Sequence, residues 1–352
     1  RVLFRSGLYY QRGGVYEDGS GVPFTQLPGT NYRPGFFDAD AFEVITAEGK
    51  AAYAFGNQES VTFNYAYQDA SDVLYPGLRM DAPKDTMNRA SVALRRPVSG
   101  SMADSLEASL AFSHVDHDMR DTLRASLNNM GGAFVDRGYF MRTEATSTFI
   151  GGRLDFSKRL SADSLFRYGL DANRRLWDAD NIIGMQRNDM LPDTVSEGGG
   201  AWGVYERRQG SWAFETGFRV DLKTSEARED LSFLQGLRGT ATNGRTDLLP
   251  SFYGLVSRDL SDALNAYAGL GFASRTPDPQ ERYMNLDRPM MNTDWVGNPD
   301  LDPVRNLELQ GGLRWKQAAF DAQVSAFHAW LFDYIYIARL NDVSRHLFAD
   351  RI

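Results

Sequence analysis

Apolar and polar side chains alternate along this chain in runs of about ten residues. In Trp212 to Asp221, the side chains of Trp212, Phe214, Phe218 and Val220 fall on one face, and those of Glu215, Gly217, Arg219 and Asp221 on the other. Leu307, Leu309, Leu313 and Trp315 oppose Glu308, Gln310 and Arg314 in the same way, and Val61, Phe63, Tyr65 and Tyr67 oppose Thr62, Asn64 and Gln68. Further runs set Leu106, Leu110 and Phe112 against Glu107 and Ser109, Ile150 and Leu154 against Arg153 and Asp155, and Phe166 and Leu170 against Arg167 and Asp171. Successive strand side chains point to opposite faces, so each run has one greasy and one wet face. The pattern predicts thirteen strands, near residues 2-11, 42-54, 61-69, 88-97, 105-116, 144-157, 164-176, 200-208, 211-223, 249-258, 263-274, 305-316 and 319-336. Most suit a tilted strand crossing a bilayer, which takes about 9–11 residues.

The connections alternate in length. Short polar turns stand at 56-59, 98-101, 158-161, 209-210, 259-262 and 317-318, and long loops near 12-41, 70-87, 117-143, 177-199, 224-248 and 275-304. Short turns on one side and long loops on the other mark an up-and-down barrel with periplasmic turns and extracellular loops. A soluble sandwich would have strands of about five or six residues, and a propeller a motif repeated about every 40–50 residues. The expected fold is therefore all-β, an antiparallel transmembrane barrel occupying residues 1-352 as one domain. Unpaired sheet edges are not tolerated in lipid, so thirteen or fourteen strands are expected to be part of a larger barrel. Arg1-Val2-Leu3-Phe4 and Phe348-Ala349-Asp350-Arg351-Ile352 both read as strands cut short.

Composition agrees once the alternation is understood. Charged residues are 24%, hydrophobic ones 42% and the mean hydropathy is -0.42, because barrel strands hide their apolar residues at every second position. No apolar run approaches the roughly 18 residues of a membrane helix. There is no cysteine, hence no disulfide framework or thiolate metal site. A net charge of -8 argues against nucleic acid, which needs clustered Lys and Arg. Neither a Gly-x-Ser-x-Gly elbow nor a His-Glu-x-x-His helix is present, and Gly198-Gly199-Gly200 leads into a strand, so it is no phosphate cradle. An enzyme is not expected.

Residues 263-337 carry a set of ordered motifs: Ala268-Gly269-Leu270-Gly271-Phe272-Ala273-Ser274-Arg275-Thr276-Pro277, then Glu281-Arg282-Tyr283, then Gly297-Asn298-Pro299-Asp300-Leu301-Asp302-Pro303, and last Asp333-Tyr334-Ile335. This text resembles the TonB-dependent receptors, whose pattern is a strand ending in Arg-x-Pro, a long loop with Gly-Asn-Pro-x-Leu-x-Pro-Glu, and a hairpin ending in Asp-Tyr-Ile. Val304 departs from it, standing where the family usually has Glu. The resemblance implies a 22-stranded barrel with an N-terminal plug, of which this chain would hold the fifth to seventeenth strands and, at Arg351-Ile352, the start of the next. It implies an outer-membrane location in a Gram-negative-type bacterium, contact with outer-membrane lipid, and energy transduced by a TonB-type protein through an N-terminal region. A narrower likeness to copper receptors rests on Arg1 to Phe4, Gly77 to Asp81, His114-Val115-Asp116-His117-Asp118-Met119, Leu249-Pro250-Ser251 and Ala349 to Ile352.

Within that frame the chemistry available is soft-metal binding. Thioethers suit reduced copper, and imidazole suits copper and zinc. Met80, Met119, Met130, Met185, Met190, Met284, Met290 and Met291 fall inside the expected extracellular loops, with Met87 and Met141 at loop edges. His117 with Met119, joined by Met80 and Met130, forms the candidate metal set, the remaining ligands coming from the plug. By parity His114 shares the outward face with Leu110 and Phe112. A lone methionine more often packs than ligates. Arg153, Arg167, Arg219, Arg314, Glu215 and Asp171 are expected to line the lumen and pair there. Tyr9, Tyr10, Trp202, Tyr205, Trp330 and Tyr334 read as interfacial girdle residues. The reading is a gated importer of a scarce metal or metal chelate, copper first, with no intrinsic cofactor. A ferric-siderophore or other chelate receptor, or a passive porin-like or structural barrel, is the alternative.

Overall fold

The computed structural model describes all residues but 57, 126, 131, 132, 137–139, 288–293, 340–345 and 352, and the side chains of 126–139 and 339–352 lie outside the description. Thirteen antiparallel strands form one sheet in strict sequence order. They are β1 (Val2–Gly14), β2 (Asp40–Gly56), β3 (Glu59–Val73), β4 (Asp81–Pro97), β5 (Ser105–Arg120), β6 (Met141–Ser161) and β7 (Ser164–Ile183). There follow β8 (Gln186–Gln209), β9 (Trp212–Ala227), β10 (Gly244–Asp259), β11 (Leu264–Arg275), β12 (Val304–Gln317) and β13 (Phe320–Phe332). Each expected strand is present, and each pairs with its sequence neighbour. Among the described residues β1 and β13 do not pair, so the sheet is an open arc of barrel wall. Among the described residues no helix is long and apolar enough to cross a membrane.

Register confirms the two faces. Phe63 pairs with Val92, Phe112 with Ile150, Phe218 with Phe252 and Leu270 with Leu309, so apolar side chains meet across neighbouring strands on the outward face. Phe4, Leu8, Leu110, Ile150, Leu170, Phe218, Leu309 and Val324 are exposed there. A soluble sheet would bury such a belt, whereas in a barrel wall it faces acyl chains. On the inward face Arg219 holds Asp171 at 2.7 Å and also binds Asp221, Arg95 pairs with Glu107 at 2.6 Å, and Arg153 donates to Asp155 at 2.7 Å. Arg167 binds Glu206, Arg314 pairs with Asp321 at 2.7 Å, and Tyr253 donates to Glu215 at 2.5 Å. The lumen is thus charged and internally paired, as expected.

Several boundaries differ from the sequence reading. The expected loop 177-199 is strand: β7 and β8 continue together to a tight turn at Gly184 (φ +61°) and Met185, interrupted only by register shifts between Asp189, Leu191 and Thr194. Above the lipid no outward position needs to be apolar, so Asp178, Asp180 and Asp189 break the alternation without ending the strands. For the same reason β5 runs on through His117 and Met119 to Arg120, and β3 and β4 leave only residues 74–80 between them. The expected strand 319-336 ends at Phe332. Asp333 turns the chain with φ +53°, and a short strand, Ile335–Arg339, joins another sheet with Asp294–Val296 and His346–Arg351. The last of these therefore does not add to the thirteen-stranded sheet, and Ile352 lies outside the described residues. Tyr9 and Trp202 are not girdle residues. Tyr9 donates to inward-facing Glu48 at 3.1 Å, and Trp202 lies under Arg153 at 5.1 Å in the lumen.

The long connections pack into two separate clusters at the extracellular end. The first gathers Phe24, Tyr32, Ala41 and Leu74 with Val15, Leu27, Phe37 and Leu123. At its centre Arg124 is only 4% exposed and binds Asp81 at 2.5 Å, the Tyr32 hydroxyl at 2.6 Å, and the carbonyls of Leu78 and Tyr75. The second cluster joins Ala179, Leu191, Ala227, Leu231, Leu234, Tyr283 and Val296, and includes helix α1 (Ser232–Arg238).

Candidate metal-binding site in the extracellular vestibule

β4 and β5 pair so that Asp85 stands opposite His117, while Phe112 and His114 belong to the other face. Phe112 is the last apolar residue of the outward belt on β5, and His114, Asp116 and Asp118 follow it. His117 therefore sits above the lipid level and faces inward, into the vestibule beneath the loops. Its Nδ1 lies 2.5 Å from Asp85 Oδ1, with the two side chains 29% and 26% exposed. The Asp85 hydrogen bond raises the pKa of His117 from its ordinary value, and partial burial opposes it. Nε2 has no partner among the described residues.

Met119 lies two residues further along β5, on the same face, and pairs across the sheet with Thr143 of β6. Thr143 donates to the Met80 sulfur at 3.9 Å and accepts from Asn181 Nδ2 at 3.0 Å. Asn181 is buried, and its Oδ1 finds no hydrogen-bond partner. His117 and Met119 thus share the inward face of β5, and the Met80 sulfur, from the connection before β4, lies against Thr143, the residue opposite Met119. Sequence spacing places His117 and Met119 together. Met80 joins them only through the β5–β6 register, which the sequence does not display.

The other candidates are elsewhere. Met130 ends a short strand, Leu127–Met130, that pairs with Ala133–Asp136, and its side chain lies outside the described residues. His114 faces outward, between Thr148 Oγ1 at 2.8 Å and Asp116 Oδ2 at 3.2 Å. Met185 is fully exposed at the hairpin tip, Met190 packs on the second cluster, and Met284 is buried. Met290 and Met291 lie outside the described residues. Among the described residues no set of three His, Asp or Glu could hold a metal.

The ordered motifs form a clamp rather than a binding surface. Arg275 pairs with Glu281 at 2.8 Å, Pro277 is buried, and Asp278 caps helix α2 (Pro279–Tyr283) with a reciprocal bond to Glu281. Arg282 is fully buried and binds Asp247 of β10, Ser225 of β9 and the Leu301 carbonyl. Gly297 N donates to Met284 O at 2.7 Å, and Asn298 N to Glu281 O at 2.9 Å. A Cβ on Gly297 would stand 2.5 Å from the backbone of Arg282, so only glycine fits. Pro299 and Leu301 are buried beside this contact, Pro303 leads into β12, and Val304 pairs with Arg275. At the far end Arg305 binds Asp333, Tyr334 is exposed and Ile335 opens the next strand.

The family described as TonB dependent receptor-like, beta-barrel matches residues 4–346. The chain belongs to this family. No curated protein sequence matches it. Among solved structures, this TonB-dependent receptor barrel is similar to the copper transporter OprC, with TM-score 0.78 and 18% identity over 99% of this chain and 52% of that one. It is also similar to the hemophore receptor HasR of Serratia marcescens, TM-score 0.65 and 13% identity over 99% and 54%, and to the FrpB iron transporter of Neisseria meningitidis, TM-score 0.64 and 15% identity over 98% and 54%. These likenesses establish the fold. The chain spans about half the length of the structures it resembles. Barrels of this receptor family belong to the outer membrane, and the family is one of transport receptors.

Proposed function

We propose that this barrel is the wall of an outer-membrane receptor that captures a soft metal ion, reduced copper first, and imports it with energy transduced through TonB. The observation that carries the reading is the placement of His117 and Met119 on the inward face of β5, with the Met80 sulfur against Thr143, the residue opposite Met119. Thioether donors select copper in its reduced state over hard cations. Two donors from the wall and one from the loop before β4 leave room for others from elsewhere in the full-length protein. The similarity to a copper transporter is in keeping with this reading.

A second reading is a receptor for a metal chelate. Arg175 lies 3.9 Å over the ring of Trp177 on the inward face of β7, and a cation stacked on an aromatic suits a flat, anionic ligand. Metal content separates the two. The full-length protein, purified from outer membranes of copper-grown cells, is analysed by mass spectrometry beside a His117→Ala/Met119→Ala variant. Stoichiometric copper that falls in the variant supports copper import. Copper absent from both proteins sinks that assignment and shifts the cargo to a chelate.

A further inference from the structure

We propose that Asp85 is the positioning residue of the vestibule site: it engages His117 through Nδ1 and so leaves Nε2 as the ring nitrogen offered to a soft cation. This rests on the copper reading above and deepens it. Asp85 and His117 are directly opposed in the β4–β5 ladder, and the Nδ1···Oδ1 separation is 2.5 Å. A carboxylate only accepts hydrogen bonds, so Nδ1 carries the proton in this contact. In the neutral ring the lone pair then resides on Nε2, which has no partner among the described residues. A free imidazole interchanges its tautomers and turns about its side-chain bonds. A ring tied to the adjacent strand does neither, and its basicity rises through the charged acceptor.

The surroundings favour this role over simple ion pairing. Asp85 has no other side-chain hydrogen-bond partner and no ion pair with Lys or Arg among the described residues, while Arg120 and Arg142 bind Asp118 on the outward face and Arg124 binds Asp81. Among the described residues Asp85 is thus the one carboxylate in contact with the His117 side chain.

The test is a double-mutant cycle on the full-length protein in detergent, reading copper(I) affinity by competition with a chromogenic chelator under reducing conditions. The four proteins are the wild type, Asp85→Ala, His117→Ala and the double variant, with heat-modifiable migration as the control for folding. Asp85→Ala is expected to weaken copper(I) binding about tenfold to a hundredfold, the range for removing the carboxylate partner of a ligating histidine. In the His117→Ala background the same change is expected to do nothing. Asp85→Asn, which keeps an accepting oxygen without the charge, is expected to recover part of the loss and serves if the alanine variant fails to fold. An equal loss with and without His117, or no loss at all, overturns the positioning role while leaving the copper reading in place. Unchanged affinity in His117→Ala alone overturns the copper site and the role of Asp85 with it.

Discussion

Arg282 and Asp247 form an ion pair with side chains 0% and 3% exposed, the closest approach being 2.8 Å. It ties the loop after β11 to the start of β10. Removing one partner of such a pair leaves the other charge buried and costs about 3–5 kcal/mol. Arg282→Ala is therefore expected to release residues 276–287 and 294–303 from the wall. Amide exchange in that stretch should accelerate by the corresponding factor of at least about a hundred, while exchange in the lower halves of β10 and β11 stays slow. Unchanged exchange in the loop would contradict the clamp.

Arg124 plays the same part in the other loop cluster. It binds Asp81, Tyr32 and three backbone carbonyls. Arg124→Ala is expected to loosen residues 15–39 and 74–80, again by about 3–5 kcal/mol. Because the clusters share no residues, the Arg124→Ala and Arg282→Ala effects should add within about 0.5 kcal/mol. Strong coupling between them, measured by exchange in the double variant, would show that the loops act as one body.

Gly297 offers a subtler probe. Its Cβ would press on Arg282 backbone atoms at 2.5 Å and on Met284 N at 2.8 Å. Gly297→Ala is expected to cost about 1–3 kcal/mol of local stability, the range for overpacking. The loss should appear in exchange at Gly297 and Met284, whose backbones are bonded. Indifference to the added methyl would mean that the loop has slack the structure does not show.

Glu229 gives a pH dependence. Partial desolvation at this exposed site, then the acids Asp189, Asp178, Asp193 and Asp180, raise its pKa from the ordinary value. A carboxyl with a raised folded-state pKa binds its proton more tightly when folded, so its charge destabilises above that pKa and the penalty is relieved as pH falls through it. Glu229→Gln is expected to stabilise the loop at pH 8 by up to about 0.5 kcal/mol, since the site is exposed. The gain should fade as pH falls towards 4 and be screened by salt. A gain that grows on acidification would reverse the assignment.

The wall was legible because lipid imposes the alternation that names each strand. Val61, Phe63 and Tyr65, or Trp212 and Phe214, could be assigned a face without any structure. Above the lipid that pressure is gone, and Asp178, Asp180 and Asp189 look like loop although they continue β7 and β8. Aromatics misled for a related reason: Trp202 serves Arg153 in the lumen, and size alone does not say which side a ring faces. His117 and Met119 were legible as a pair because they are two residues apart on one strand. Asp85 and Met80 were not, because their approach depends on registers between strands.

The β7–β8 hairpin turns at Met185, about a dozen residues beyond Ala172 of the outward belt, roughly 40 Å of strand at about 3.3 Å per residue. The vestibule is thus a shaft whose depth is fixed by ladder hydrogen bonds, with the loops only as its coping. Grafting, shortening or diversifying the loops redraws the rim and leaves the shaft standing, so new tastes could be fitted to this receptor without rebuilding its throat.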